Sequence, residues 1–332
     1  MEIKMVNQKA EEWFSRGYLQ YEKGDFEGAI AFYKKAIGIQ PDFYKVWYNW
    51  GEALYELGQF KEAIAAYDKG IEFKPDLYQA WYSRGNVLYR LRRLGEAIAS
   101  FDKALAIQPD YHEAWYNRGV ALGKLGDFED AIASFDKALA IQPDYHEAWY
   151  NRGVALGKLG RFEGAIASYD KALVIKPDYH EAWYNRGMAL GKLGQFEGAI
   201  ASYDKAIEFK FDKHEAWNNR GIALKNLGRF EDAIASYDRA IELKIDKHEA
   251  WINRGIALKS LERFEDAIAS FDKALAIKPD YHEAWHNRGV ALRQLGDLEG
   301  AIASFDKALA IKPDYQEAWH NRSIAISELS ER

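Results

Sequence analysis

Apolar residues recur at helical spacing in short blocks along the whole chain, and the blocks come in pairs separated by a break. One pair reads HEAWYNRGVALGKLG and then DFEDAIASFDKALAIQPDY, over residues 112–145. Within each block the apolar positions are three or four residues apart, which is the spacing of one face of a helix. The pattern therefore predicts two short helices in alternation.

The paired blocks repeat with a period of 34 residues, and this period is typical of stacked repeat proteins. Only Trp50 among the tryptophans is out of phase; the others are Trp13, Trp47, Trp81, Trp115, Trp149, Trp183, Trp217, Trp251, Trp285 and Trp319. We predict an N-terminal segment at 1–9, nine repeats at 10–43, 44–77, 78–111, 112–145, 146–179, 180–213, 214–247, 248–281 and 282–315, and a C-terminal capping helix at 316–332.

Turn residues and small residues keep the same register. Glycine occupies the break between the two helices in seven repeats, where a helix end requires a left-handed residue, and all seven prolines close repeats. Phe211 and Ile245 replace the expected proline, which predicts that the helix runs on across those two junctions. Alanines at one position of the second helix, from Ala29 to Ala301, and aromatics from Tyr33 to Phe305 are the predicted packing residues.

These residues resemble the tetratricopeptide repeat family, whose pattern of Trp, small residue, Ala, aromatic, Ala and Pro recurs here nine times in phase. The resemblance implies an all-α fold, a right-handed superhelix of helix pairs in which the first helices line a concave groove. One departure is arginine three residues after every in-phase tryptophan except Trp47, where the family usually has leucine. We expect these arginines to pair with aspartates of the second helices, such as Asp102 and Asp136, as a structural ladder.

The free face of the first helix carries an asparagine in almost every repeat. The set is Asn49, Asn117, Asn151, Asn185, Asn219, Asn253, Asn287 and Asn321, with Ser15 and Ser83 completing the series. A carboxamide both donates and accepts, so it can bind a peptide group whatever the side chain of that residue. The position resembles the asparagine ladder of the O-linked N-acetylglucosamine transferase array. Alternatively, asparagine was copied by recent duplication and has no function.

Other side chains on this face differ along the chain and predict selectivity for a bound peptide. Aromatic residues come first, and cations come later, with an acidic segment of the partner expected at repeats 7 to 9. The candidate residues are Tyr48, Tyr82, Tyr116, Tyr150, Tyr184, Lys124, Lys158, Lys192, Lys225, Lys259 and Arg293. The carboxylate clamp of chaperone-binding relatives is absent, since only Lys45 matches one of its lysine positions.

A zinc motif is matched in form only. His282, Glu283 and His286 spell HExxH within HEAWH, but His282 and Glu283 belong to the repeat pattern and no third ligand is indicated. We expect no metal and no other cofactor. Glycine-rich phosphate loops and serine nucleophile motifs do not occur in the sequence.

Composition limits the remaining choices. The chain has 332 residues, 48% of them hydrophobic, so it can form a substantial core. A net charge of −6 does not favour nucleic acid or a membrane surface as partner, and the lack of cysteine fits a reducing compartment. With neither a signal sequence nor a membrane span indicated, we expect a cytoplasmic protein.

The function we expect is noncatalytic: a scaffold that binds an extended peptide or partner protein in the groove. The alternative is a structural spacer or a self-assembling array, or one part of a larger signalling assembly. A zinc hydrolase at His282 and His286 ranks last. Partner identity, oligomeric state and natural or engineered origin are left open by the sequence.

Overall fold

The computed structural model describes the backbone of residues 2–331 and the side chains of residues 8–331. Every regular element in this part of the chain is an α-helix, which confirms the all-α prediction. The helices are α1 (Glu2–Glu22), α2 (Phe26–Ile39), α3 (Tyr44–Glu56), α4 (Phe60–Phe73), α5 (Tyr78–Arg90), α6 (Leu94–Ile107), α7 (His112–Leu125), α8 (Phe128–Ile141), α9 (His146–Lys158), α10 (Phe162–Ile175), α11 (His180–Lys192), α12 (Phe196–Phe209), α13 (His214–Asn226), α14 (Phe230–Leu243), α15 (His248–Ser260), α16 (Phe264–Ile277), α17 (His282–Gln294), α18 (Leu298–Ile311) and α19 (Gln316–Ser330).

The chain forms two compact units, Met1–Ile175 and Lys176–Arg332. The first unit contains α1 to α10 and the second contains α11 to α19. Odd-numbered helices are the first helices of the repeats and even-numbered helices are the second, with α19 following the last complete pair. Each helix contacts mainly the helices before and after it within its unit, as expected for a linear stack of repeats.

The core of each repeat is an aromatic ring held between an alanine and a glycine. The predicted alanines are fully buried, and the aromatics from Tyr33 to Phe305 are almost fully buried beside them. The third partner, which was not predicted from the sequence, is a glycine of the first helix. A Cβ added at Gly119 would lie 2.7 Å from Phe135 Cε1, so only glycine lets the ring approach the helix so closely.

Hydrogen bonds from the tryptophans hold the turn between repeats. The indole Nε1 of Trp115 donates to the carbonyl of Pro109 at 2.8 Å, and the bond recurs in the other repeats. It also forms where proline is missing, from Trp217 to the carbonyl of Phe211 at 3.1 Å and from Trp251 to that of Ile245 at 3.0 Å. The carbonyl, rather than the proline ring, is what the turn requires.

The predicted continuation of the helix at Phe211 and Ile245 is therefore wrong. Helix α12 ends at Phe209 and α13 begins at His214, while α14 ends at Leu243 and α15 begins at His248. The capping residues Lys210 and Lys244 have φ values of −145° and −150°, outside the helical range. The indole hydrogen bond and this extended residue stop the helix without proline.

The arginine ladder is confirmed. Arg118 Nε lies 2.6 Å from Asp102 Oδ1 and Arg152 Nε lies 2.6 Å from Asp136 Oδ1, so each arginine reaches back to the preceding repeat. A second bond runs forward within the same repeat, from Arg118 Nη1 to Ser134 Oγ at 2.7 Å. Arg118 thus joins three helices, and the same two bonds form at Arg84, Arg152, Arg220, Arg254 and Arg288. In repeat 2 this position is occupied by Trp50.

Seven glycines at the break have φ between 72° and 94°, as predicted. In repeats 3 and 8 the same left-handed position is occupied by Arg92, with φ of 62°, and Glu262, with φ of 59°. A residue with a Cβ costs about 1 kcal/mol more than glycine in this conformation.

Replacing either residue with glycine is therefore expected to stabilise the protein. Arg92→Gly and Glu262→Gly should each raise the free energy of unfolding by about 1 kcal/mol, measured by urea denaturation. Gly228→Ala, at a break where φ is 75°, is the matched control and should lower it by a similar amount. Unchanged stability in both glycine variants would contradict the assignment of strain to these residues.

None of the helices in the described chain has both the length and the apolar character needed to cross a membrane.

Candidate functional site

The candidate face is formed by the first helices of the repeats, on the side opposite the tryptophans and arginines. In repeat 4 it consists of Tyr116, Asn117, Val120, Gly123 and Lys124 on α7. Tyr116, Asn117 and Val120 are half-buried and Lys124 is exposed. We call the equivalent positions of all repeats the ladder face.

The asparagines of this face bind the preceding repeat. Asn117 Nδ2 donates to Tyr82 Oη at 3.0 Å, and it also lies 2.9 Å from Asn86 Oδ1. The same bond to tyrosine joins Asn151 to Tyr116 at 3.0 Å, and Asn219 to Tyr184 at 3.0 Å. Two candidate positions that the sequence treated separately, the tyrosines and the asparagines, are therefore one hydrogen-bonded series.

The series begins differently in the N-terminal repeats. Asn49 Nδ2 donates to the carbonyl of Lys45 in its own helix at 2.8 Å. Ser83 takes the asparagine position in repeat 3 and hydrogen-bonds Tyr48. Asn185 is half-buried at the equivalent position of α11.

Partners of the asparagines change towards the C-terminus because the tyrosine position changes. Asn253 Nδ2 donates to Asn218 Oδ1 at 3.2 Å, since Asn218 stands where the earlier repeats have tyrosine. Ile252 offers no acceptor there, and Asn287 instead donates to the carbonyl of Glu283 at 2.9 Å. Asn321 Nδ2 lies 3.0 Å from His286 Nε2.

The tyrosines are packing residues as well as ladder residues. The rings of Tyr116 and Tyr145 are 4.7 Å apart, and those of Tyr150 and Tyr169 are 6.0 Å apart. Burial is the main cause that raises the pKa of Tyr116 to about 12 and the pKa of Tyr48 above its usual value. Their rings are only partly available to a ligand, so the tyrosines contribute less surface than the sequence suggested.

Three cations form a column on the ladder face of the second unit. Lys225, Lys259 and Arg293 are half-buried, one in each of repeats 7 to 9, and among the described residues none has an acidic side chain at ion-pair distance. Lys259 Nζ donates to Asn287 Oδ1 at 2.6 Å, and Arg293 Nη1 donates to Asn321 Oδ1 at 3.3 Å. Burial lowers the pKa of both Lys225 and Lys259.

In the middle repeats the same register position is glycine, and cavities open beside it. One of about 250 Å³ is lined by Val120, Gly123, Phe128, Asn151 and Lys158. Another of about 320 Å³ lies in the second unit and is lined by the equivalent residues, among them Gly191, Phe196 and Asn219. Lys124, Lys158 and Lys192 are exposed at the rims.

The HExxH residues belong to the scaffold. His286 takes the tyrosine position of the ladder face, with Nδ1 3.3 Å from Tyr315 Oη and Nε2 near Asn321. His282 Nε2 lies 3.8 Å from Glu283 Oε1. Between residues 8 and 331 no three histidine or acidic side chains are grouped so that they could hold a metal ion.

Comparison with known proteins found no match among curated proteins. Among solved structures, YrrB, described as a TPR protein with an unusual peptide-binding site, is 25% identical with a TM-score of 0.52, covering 57% of this chain and 97% of that one. The C-terminal part of a TPR repeat-containing protein from Cytophaga hutchinsonii is 18% identical with a TM-score of 0.64, covering 72% and 98%. A tetratricopeptide repeat protein from Parabacteroides merdae is 19% identical with a TM-score of 0.53, covering 76% and 99%.

Family models give the same result from sequence. Models described as "Tetratricopeptide repeat" match residues 48–112, 103–145, 116–180, 218–282 and 252–315 in one case and 180–211 in another. A model described as "TPR repeat" matches residues 17–58. With most of the sequence matched and the helix pairs in place, the chain belongs to the tetratricopeptide repeat family.

Proposed function

We propose that this protein is a noncatalytic interaction scaffold whose ladder face binds an extended peptide of a partner protein, with the acidic part of that peptide at repeats 7 to 9. The observation that carries the proposal is the column of Lys225, Lys259 and Arg293. Half-buried cations without acidic partners are costly in an isolated protein, and an acidic ligand offsets that cost. The peptide-binding site named for YrrB is a supporting analogy.

In this proposal an asparagine offers the ligand fewer hydrogen bonds than a free carboxamide would. In the tyrosine–asparagine pairs Nδ2 is already used by the scaffold, as in the 3.0 Å bond from Asn151 to Tyr116. We therefore assign Oδ1 of Asn219, whose Nδ2 bonds Tyr184 at 3.0 Å, to a backbone N–H of the ligand. The cavity beside Gly191 receives an apolar side chain of the same peptide, and the exposed Lys192 at its rim adds selectivity for acidic neighbours.

Reversing the three cations is expected to weaken binding of an acidic peptide about tenfold or more. The probe is a fluorescein-labelled twelve-residue peptide of alternating aspartate and serine, measured by fluorescence anisotropy with Lys225→Glu, Lys259→Glu and Arg293→Glu combined. The affinity of the wild type should fall as salt rises, because the cations are partly exposed. It should also fall as pH rises through the lowered pKa values of Lys225 and Lys259, because neutral lysine no longer attracts the carboxylates.

The matched control is Arg239→Glu, Lys273→Glu and Lys307→Glu, which makes the same change in charge on the exposed surface of the second helices of the same repeats. Equal weakening by both triple variants would show that net charge alone governs binding, and the proposed site would be rejected. Light scattering of the wild type over a range of concentrations tests the competing role as a self-assembling array.

A further inference from the structure

The arginine ladder is interrupted in repeat 2, where three residues change together. In repeat 3, Arg84 Nε bonds Asp68 Oδ1 at 2.7 Å and Arg84 Nη1 bonds Ser100 Oγ at 2.7 Å. The equivalent residues one repeat earlier are Trp50, Lys34 and Ala66. The arginine, the aspartate and the serine are all replaced, so none of the hydrogen bonds that would link α3 to α2 and α4 can form.

The missing link leaves an open groove on the side of the second helices, away from the ladder face. Trp50 lies flat against Trp47, with ring centroids 5.3 Å apart and planes 6° apart. The cavity above them is about 660 Å³, more than twice the volume of either of the two ladder-face cavities described above. Its walls are α2 and α4, where Ala31 and Ala66 are too small to fill the space that the arginine link occupies in other repeats.

The exchange lets Trp50 pack against the buried apolar residues of two neighbouring clusters, but it leaves one polar group unpaired. The indole Nε1 of Trp50 is buried and has no hydrogen-bond partner within the described chain, whereas Trp47 Nε1 donates to the carbonyl of Pro41 at 2.8 Å. A buried donor without an acceptor is destabilising. A local arrangement that gives up a ladder link, opens a cavity and leaves a polar group unpaired is expected where function requires it.

The rim of the groove has an acidic end and a basic end. Glu27 and Glu62 line one end, and Lys34 and Lys69 line the other, each lysine seven residues after the glutamate of the same helix. Seven helical residues span about 10 Å. Lys34 Nζ also lies 5.8 Å from the Trp50 ring, and Lys69 pairs with Glu72 at 2.7 Å on the exposed surface.

We infer that this groove binds an amphipathic helix of a partner protein. The helix presents two apolar side chains to Trp47 and Trp50, flanked by one acidic and one basic residue seven positions apart. That spacing places the acid over Lys34 and Lys69 and the base over Glu27 and Glu62, so every rim charge meets its opposite. A helix fits between two parallel helices with small residues on their facing sides because its side chains enter the space between them.

The experiment selects binders for the full chain from a library of sixteen-residue helical peptides displayed on phage. The competing variant combines Lys34→Asp, Trp50→Arg and Ala66→Ser, which restores the ladder residues of repeat 3 and is expected to close the groove. We expect the selected peptides to carry opposite charges seven residues apart around apolar residues. Their affinity for the restored variant, measured by fluorescence polarisation, should be at least tenfold lower.

A second variant, Ala31→Gln with Ala65→Gln, fills the groove from two exposed helix positions and should reduce binding in the same way. Circular dichroism and urea unfolding show whether both variants remain folded. The charge reversal at Lys225, Lys259 and Arg293 should leave this binding unchanged, which separates the two sites.

Three results would overturn the inference: no selected peptide, selected peptides without the charge pattern, or equal binding to the restored variant. A wild type that is dimeric by light scattering, together with a monomeric restored variant, would also overturn it, because a second copy of the chain would then occupy the groove.

Discussion

Replacing Gly187 with alanine is expected to lower the free energy of unfolding by about 2 kcal/mol. The same change at Gly191, in the same helix α11, is expected to raise it by about 1 kcal/mol. The two residues differ only in what lies beside them. A Cβ at Gly187 would be 2.7 Å from Tyr203 Cε1, whereas a Cβ at Gly191 would have no atom within 4 Å.

The Tyr203 ring cannot move away to accept the new methyl group. It is only 4% exposed, lies between α11 and α12, and packs against Tyr184 at a centroid distance of 6.0 Å. The helix gains from alanine at both positions, because glycine is the weaker helix former. At Gly187 overpacking exceeds this gain, and at Gly191 nothing opposes it.

Urea denaturation of the two variants, fitted with a common m-value, measures the difference directly. Gly153→Ala is a second example of the first kind, because a Cβ there would lie 2.6 Å from Tyr169 Cε1. Equal effects at Gly187 and Gly191 would mean that helix propensity alone decides and that the aromatic ring does not require glycine.

These glycines mark the limit of what the sequence could predict. A period of 34 residues fixed the helix pairs, their breaks and the buried alanines, because each depends on residues close together in the chain. The position of Gly187 is glycine in every repeat, whereas that of Gly191 is tyrosine, lysine or arginine in other repeats, so the sequence shows that the two differ but not why. The distinction arises from the position of the second helix relative to the first.

Contacts between repeats were predicted only where charge made the partner obvious. Arginine and aspartate at fixed positions indicated the ladder correctly, as in Arg118 and Asp102. The bond from Asn151 to Tyr116 was missed, since it depends on the rotation between successive repeats. The predicted helix continuation at Phe211 failed because proline was taken as the stop signal, whereas the turn is held by an indole bond to a carbonyl that any residue supplies.

The groove at Trp50 shows the value of departures from a repeat. An out-of-phase tryptophan was visible in the sequence, but its coupling to Lys34 and Ala66 emerges only when the three are seen to replace one linked set. By contrast, the regularly spaced asparagines were expected to bind a peptide, but the Nδ2 atoms of Asn117 and Asn219 bind tyrosines of the preceding repeat. Repetition indicates structure first, and a site is better sought where the repetition stops.

Arg254→Met is expected to lower the free energy of unfolding by about 2 kcal/mol and to weaken the cooperation between repeats 7 and 8. Arg254 Nε bonds Asp238 Oδ1 of α14 at 2.6 Å, and Nη1 bonds Ser270 Oγ of α16 at 2.7 Å. Methionine retains much of the apolar stem but loses both hydrogen bonds and the contact with the Trp251 ring at 6.0 Å.

The substitution leaves neither Asp238 nor Ser270 buried without a partner, and this limits the loss of stability. The Asp238 side chain is 44% exposed and can be hydrated, and Ser270 Oγ still donates to the carbonyl of Asp266 at 2.9 Å. The loss is therefore that of two charge-assisted hydrogen bonds, without the larger cost of a buried unpaired charge. Because a linear stack depends on contacts between neighbouring repeats, the weakened junction should unfold in its own step.

Hydrogen exchange measured separately in α14 and α16 tests this, since the two helices should exchange together in the wild type and at different rates in the variant. Arg263→Met is the matched control in the same repeat. Arg263 is 53% exposed and binds Asp266 at 2.6 Å three residues away, so its loss should cost less than about 0.5 kcal/mol. If both variants lose the same stability and α14 and α16 still exchange together, the arginine ladder does not couple the repeats.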